Sequence, residues 1–429
     1  MNKKNRSYYK VNPIFRTLPA LINRQLNKVM YKYFIFIALL FFSFCIKSPA
    51  VLDPPYFILQ YLQNVNSTEN QGNNSNNNNS QCPAPAGPFN PGAIFDTGQT
   101  LCWNGAGTVQ TCALWLPGAD GDFNNVPNAR SFVGPTQHCK FTSDYTIFDP
   151  LHGLTWKVCA QGQTGSDCSG SVAAPINWAN ANAGLSGSCT ELNTLNSGEG
   201  YAGRTNWRIP TVRELASIVH YTNNPHIENA FFPSRTFTGR PYMTSTIDAR
   251  AAGNNWAIDF SVAPPMDVRI LSTAQATSIY LRCVSGNAMP ATSFVDQGDG
   301  TIRDLNTGLL WAQCSEGQGG VGCMFGAIGS LDWNQARGNC NGKVLVPGRV
   351  WRLPNINELL SIIDYSDPNP ILPTIDTTFF PNTPNPSGYW TSTTYDSNKS
   401  LAIAVAFGNG IVATSDKSGN LYARCVTTF

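Results

Sequence analysis

Charge is scarce in this chain: Asp, Glu, Lys and Arg make up 13% of its 429 residues. Histidine is scarcer still, with His138, His152, His220 and His226 and none after them. No two cysteines stand in C-x-x-C spacing, and the longest apolar run, residues 33–44, is short of the ~20 residues a membrane span needs. These absences exclude whole classes of function. A zinc centre wants closely spaced Cys and His ligands, and the second half of the chain offers no imidazole. Nucleic-acid binding wants clustered Lys and Arg. Residues 1–32 hold eight of the 28 basic residues and no acidic one, which leaves 20 basic against 26 acidic, a balance of −6. The bulk of the chain is therefore mildly acidic, with no basic stripe.

Cysteine, by contrast, is abundant: 13 residues, alongside 29 prolines and 37 glycines. Cytosolic thiols stay reduced, so this many patterned cysteines point to an oxidising compartment. The prolines and glycines predict many turns and little long helix. The pattern itself is a repeat. Cys159, Cys168, Cys189 and Cys283 are matched by Cys314, Cys323, Cys340 and Cys425. TIFDPLHGLTWKVC answers TIRDLNTGLLWAQC, NWRIPTVRELASIV answers VWRLPNINELLSII, YMTST answers YWTST, and YLRCV answers YARCV. A function common to both units must use residues present in both.

The chain divides accordingly. Residues 30–44 read as a secretory signal, with Met30 an alternative start that makes 1–29 an extension outside the protein. The signal can end in two ways: at Cys45, which would then carry a lipid, or after Ala50, which discards Cys45. Residues 45–81 contain the Asn/Ser-rich run NVNSTENQGNNSNNNNSQ, too polar to offset ordering entropy, and read as a tether. Residues 82–138 form a cysteine-containing lead-in segment, 139–290 the first unit and 291–429 the second.

Each unit reads as a strand ending at Trp156 or Trp311, a loop, a helix containing Trp178 or Trp333, a helix after Pro210 or Pro354, and then several short strands. Thr211 with Glu214, and Asn355 with Glu358, form capping boxes at the second helix. Val212, Leu215, Ile218 and Val219 then share one face, as do Ile356, Leu359, Ile362 and Ile363. The late strands are read at 257–260 and 404–407, and the terminal ones at 280–284 and 422–426. Helices followed by segregated strands predict an α+β domain, two short helices on short antiparallel strands. Four cysteines allow three pairings. Local bridges Cys159–Cys168 and Cys314–Cys323 with long-range bridges Cys189–Cys283 and Cys340–Cys425 are favoured, because helix end and terminal strand should meet in a closed domain. In the lead-in segment Cys102–Cys112 closes a hairpin, leaving Cys82–Cys139.

The succession Asp304-Leu-Asn-Thr-Gly-Leu-Leu-Trp311, Trp351-Arg-Leu-Pro354 with Glu358, Tyr389-Trp-Thr-Ser-Thr393 and Arg424-Cys-Val426 resembles the Lcl C-terminal domain family, named after a bacterial collagen-like adhesin. The first unit departs from it at His152-Gly153, Ile209 and Met243. The resemblance implies a C-type-lectin-like fold in two tandem copies. It implies an exported surface protein, a lipoprotein of the outer membrane or cell surface or else a secreted one. Such a protein would bind a glycan or matrix component without catalysis. Two other readings stand beside it: a relative of the formylglycine-generating oxidases of similar fold, which need reactive late cysteines, and a structural envelope component.

The candidate site residues are few. Trp390 and Arg352 are candidates for ligand contact, Trp390 at an exposed loop-to-strand edge. Asp296, Asp299 and Asp304 form a candidate calcium site, set against a solvated Asp/Gly turn, and Asp120 and Asp122 carry the same pair of readings. No other cofactor is expected. The shared carboxylates Glu214/Glu358 and Asp149/Asp304 are read as cap and turn residues rather than an acid–base pair. Arg208/Arg352 and Arg282/Arg424 are read as structural. His220 and His226 with Glu228 could make a metal site only in the first unit.

Overall fold

The computed structural model describes residues 87–233, 240–261, 270–366, 373–384 and 388–429. The signal, Cys45, Cys82 and the Asn/Ser-rich run lie outside these residues.

Short polar residues before apolar ones start most of the helices. Asn177, Thr211, Asp332 and Asn355 each accept a hydrogen bond from the backbone N–H three residues on. At Thr211, Asp332 and Asn355 the capping box is complete. In the lead-in segment, β1 (Cys102–Trp103) and β2 (Val109–Gln110) form a hairpin closed by the Cys102–Cys112 disulfide, followed by α1 (Cys112–Trp115). β3 (Val133–Gln137) ends the lead-in segment, and the first unit contains β4 (Tyr145–Asp149), β5 (Leu154–Lys157), α2 (Trp178–Asn182), β6 (Trp207–Arg208), α3 (Val212–Ser217), β7 (Tyr242–Ile247), β8 (Asn254–Ile258), β9 (Ile270–Ala274) and β10 (Val284–Ser285). The second repeats it with β11 (Phe294–Asp296), β12 (Thr301–Asp304), β13 (Leu309–Ala312), α4 (Trp333–Asn341), α5 (Ile356–Ser361), β14 (Gly388–Thr394), β15 (Leu401–Ala406), β16 (Ile411–Asp416) and β17 (Val426–Thr428). No helix among the described residues is long and apolar enough to cross a membrane.

Each unit has one sheet that ties its start to its end and one separate meander. The sheets run β3-β4-β5-β10-β6 and β11-β12-β13-β17, all antiparallel, and the meanders are β7-β8-β9 and β14-β15-β16. Val284 lies opposite Trp156 and Val426 opposite Trp311. That register brings Cys283 and Cys425 to the start of their units, where Cys189 and Cys340 close the long-range disulfides. The local bridges Cys159–Cys168 and Cys314–Cys323 are also formed. Cys139 is disulfide-bonded as well, and its expected partner Cys82 is outside the described residues.

Two expectations shift. The terminal strands begin at Val284 and Val426, later than residues 280 and 422. Tyr280 and Tyr422 instead make single parallel bridges to Tyr242 and Tyr389 on the meander. The chain crosses between sheets there, and Arg282 and Arg424 fill the crossing. Moreover, β3, from the lead-in segment, pairs with β4 and becomes the edge of the first unit's sheet.

The apolar faces of α3 and α5 pack on β7–β8 and β14–β15. Leu215, Ile218, Ile356, Leu359 and Ile363 are each fully buried. One continuous core holds residues of both units, from Trp156 and Leu215 to Trp311 and Ile363. A second core, around Trp333, Trp351 and Trp390, takes in Cys102, Leu116 and Ala119 of the lead-in segment. The hairpin part of that segment thus precedes the first unit but packs on the second. Lys417 fixes the hairpin there, its Nζ donating to the carbonyls of Trp103 (3.0 Å) and Asn104 (3.2 Å) and to Thr394 Oγ1 (2.9 Å).

Candidate functional site

The polar residues common to both units come first. Asp149 Oδ1 accepts from the N–H groups of Leu151 and His152, and Asp304 Oδ1 from those of Asn306 and Thr307. Gly153 and Gly308 follow at φ +72°, a left-handed conformation that glycine adopts without strain. The D-x-x-x-G motif is therefore the turn between β4 and β5 in the first unit and between β12 and β13 in the second. Glu214 and Glu358 cap α3 and α5 and receive both prongs of Arg208 and Arg352. Arg352 also lies over Phe123, 4.9 Å from the ring centre. Arg282 and Arg424 are fully buried and donate to backbone carbonyls, of Lys157 and Val158 and of Ala312 and Gln313. Burial holds both guanidinium pKa values below the usual arginine value. Every shared charged side chain is thus taken up by the scaffold.

Trp390 is not at an exposed edge. It is fully buried, and its indole Nε1 donates to the Leu331 carbonyl at 2.7 Å, because YWTST is the central part of an inward-facing strand. Arg352 is 3% exposed and paired to Glu358. Asp296, Asp299 and Asp304 do not converge. Asp296 accepts from Gly298 N–H and Gln313, Asp299 from Thr301, and Asp304 is buried in its own turn. Burial raises the Asp304 pKa above the usual carboxylate value. Asp120, read as a turn residue, is 2% exposed. Its Oδ2 accepts from Thr97 Oγ1 at 2.8 Å. Burial, reinforced by the charge of Asp96, pushes Asp120 up to about 8. His220 Nε2 lies 3.5 Å from Glu228, a carboxylate that Arg130 also holds, and burial lowers the His220 pKa to about 4. Among the described residues, the one trio of His, Cys or carboxylate ligand atoms within 4.8 Å of one another is Glu316 with Cys340 and Cys425, and those two sulfurs are joined to each other.

Two features remain open. One is the tip around Cys323, where Val321 before that cysteine and Met324 and Phe325 after it are 90%, 76% and 70% exposed. Reciprocal backbone hydrogen bonds between Gly319 and Phe325 hold the tip in shape. Residues 317–331 carry no charge. The other is a small open cleft, with about 60 Å³ of enclosed space, where α3 and α5 meet beneath residues 91–95. Ile94, Phe95, Met289 and Leu360 line it, with Arg213, Asn357 and Tyr365. Neither feature was recognised in the sequence.

The sequence pattern of the Lcl C-terminal domain family matches this chain twice, over residues 145–285 and 300–427. The chain belongs to the Lcl C-terminal domain family. No curated protein matches it. The two Lcl units agree where the scaffold is made and part company at the surface. Cys159 and Cys314 open equivalent loops, so Val321, Met324 and Phe325 stand in register with Ser166, Ser169 and Gly170. The second Lcl unit therefore bears an apolar tip where the first is polar. Arg213 of the first Lcl unit likewise stands in register with Asn357 of the second.

Proposed function

We propose that this chain is an exported bacterial surface protein whose two Lcl units bind an extracellular ligand, a glycan or matrix component, without catalysing a reaction. The signal at 30–44 would direct export, and Cys45 would carry the lipid anchor, with the following tether holding the units off the membrane. Short helices on antiparallel strands and the long-range disulfide in each unit support a C-type-lectin-like scaffold. The observation that carries the reading is the division of labour among residues. Those repeated in both units are buried and internally paired, whereas three strongly exposed apolar side chains, Val321, Met324 and Phe325, cluster around Cys323 of the local disulfide and have no apolar counterparts at the matched positions of the first unit. Loops held by a rigid scaffold are where binding residues concentrate. Lone exposed apolar residues need no explanation, but three on one uncharged tip do.

The oxidase reading loses its support. Cys283 and Cys425 are fully buried and bonded to Cys189 and Cys340, so neither is a thiol available to a substrate. The proposed binding does not call on calcium at Asp296, Asp299 and Asp304, which do not converge.

The test is a glycan and matrix-protein binding screen on the full chain, with and without EDTA, repeated with the Val321→Ser, Met324→Ser, Phe325→Ser variant. Saturable binding that survives EDTA and is lost in the variant is expected. Binding of nothing in the screen, or undiminished binding by the variant, sinks the proposal.

A further inference from the structure

We infer that the cleft between the two Lcl units is a binding site for a small apolar carboxylate, held by Arg213 and Tyr365. The inference stands apart from the surface-binding proposal and survives its failure.

The cleft exists only because the units are in tandem. Arg213 projects from α3 of the first unit, Leu360 and Ser361 belong to α5 of the second, and residues 91–95 of the lead-in segment cover both. Arg213 Nη2 donates to the carbonyls of Ser361 (3.1 Å) and Ile363 (2.9 Å), at the C-terminal end of α5. Those bonds fix the guanidinium in place. Its Nε and Nη1 have no hydrogen-bond partner among the described residues and keep some access to solvent, and no carboxylate there lies within ion-pair distance of it. Every other buried arginine discussed above either faces a carboxylate or is enclosed by carbonyls and rings. A half-buried cation in a mostly apolar cleft, with donors to spare, is matched to an anion.

Tyr365 supplies a second, independent sign. Its side chain lines the cleft and is 6% exposed, and its hydroxyl is buried with no hydrogen-bond partner among the described residues. Buried hydroxyls are nearly always satisfied, so an orphan beside a cation is an exception that calls for a ligand group. The Arg213 charge acts on this phenol and opposes the upward push of burial.

The chemistry of the donors selects the ligand. One guanidinium and one hydroxyl suit a single negative charge spread over two planar oxygens, which an arginine fork binds in two prongs. A phosphate or sulfate dianion would need further cations, and Arg213 is the one charged residue in the lining of the cleft. Ile94, Phe95, Met289 and Leu360 would take an apolar body of a few carbons. Such a group arises as a free small acid or as the carboxyl terminus of an apolar peptide.

The experiment is a ligand-observed NMR titration of the full oxidised chain with butyrate, benzoate and N-acetyl-leucyl-leucine, each against its amide. Saturable binding of the acids is expected, with a Kd on the order of 1 mM and at least tenfold preference over the amides. Preference for benzoate or butyrate identifies the free-acid source, and preference for the dipeptide the chain terminus. Arg213→Gln should weaken binding about tenfold and Tyr365→Phe several-fold. Ala216→Leu should fill the cleft while keeping the Arg213 charge, since Leu already occupies the equivalent position 360; its thermal melt reports whether the fold is kept. Absence of saturable binding up to roughly 50 mM overturns the inference. So does amide binding as tight as acid binding, or full binding by a folded Ala216→Leu protein.

Discussion

The two kinds of disulfide should differ in worth by a predictable amount. Cys340–Cys425 closes a separation of 85 residues and Cys314–Cys323 one of 9. Cross-linking removes loop-closure entropy from the unfolded chain, which corresponds to about 4.6 kcal/mol for the long loop and about 2.6 kcal/mol for the short one at 25 °C. The perturbation is paired substitution, Cys340→Ala with Cys425→Ala, and separately Cys314→Ala with Cys323→Ala, so that no lone thiol remains. Both cysteines of the long bridge are fully buried, so some lost packing adds to its cost. Urea unfolding of the oxidised proteins gives the difference. The long-range pair should lose about 2 kcal/mol more than the local pair, and Cys189→Ala with Cys283→Ala should match the long-range pair within about 0.5 kcal/mol. Because one core runs through both units, each variant should move a single transition and not split it in two. Equal losses for long and short bridges would refute the view that the long bridge acts by restraining the open chain. A split transition would refute the shared core.

Three further outcomes follow from buried charge. Asp120 titrates at about 8 in the folded chain against an ordinary value of 3.8, so the folded state holds a proton that the unfolded state has released over that window. Its contribution is fully present below pH 4 and is lost as pH rises towards 8, at up to about 1.4 kcal/mol per pH unit. Urea midpoints should show Asp120→Asn gaining on the parent chain from pH 5 to pH 8, and a constant difference would contradict this. Glu358→Gln leaves a buried Arg352 unpaired and should cost about 3–5 kcal/mol, whereas Glu214→Gln should cost less because the Arg208 side chain is 28% exposed. Calcium or EDTA should leave the melting temperature unchanged, and a rise of several degrees with calcium would show that Asp296, Asp299 and Asp304 converge on it in solution.

What the sequence could reveal followed from locality and repetition. The capping boxes at Thr211 and Asn355 involve contacts three residues apart, and the helix faces follow from a 3.6-residue period. The disulfide pairing followed from the repeat, because helix end and terminal strand had to be neighbours in both copies. The burial of Trp390 was not legible, since the strand Tyr389-Trp-Thr-Ser-Thr393 has no apolar-polar alternation to mark a covered face, and both of its faces are buried. Asp120 misled for a related reason. GADGDF reads as a solvated turn, and only the packing of the lead-in segment on the second unit buries it. The cleft depends on the meeting of α3 and α5, whose matched residues Arg213 and Asn357 are 144 apart and of different type. Filtering for residues shared by both units removes that kind of position, although the surface features proposed for binding are the unshared ones.

Peptide mapping of the unreduced chain tests the duplicated, disulfide-stapled scaffold most directly. Linked peptides are expected for Cys189 with Cys283 and for Cys340 with Cys425, alongside the local pairs. Free thiols at Cys340 and Cys425, or bridges that cross from one unit to the other, would contradict it.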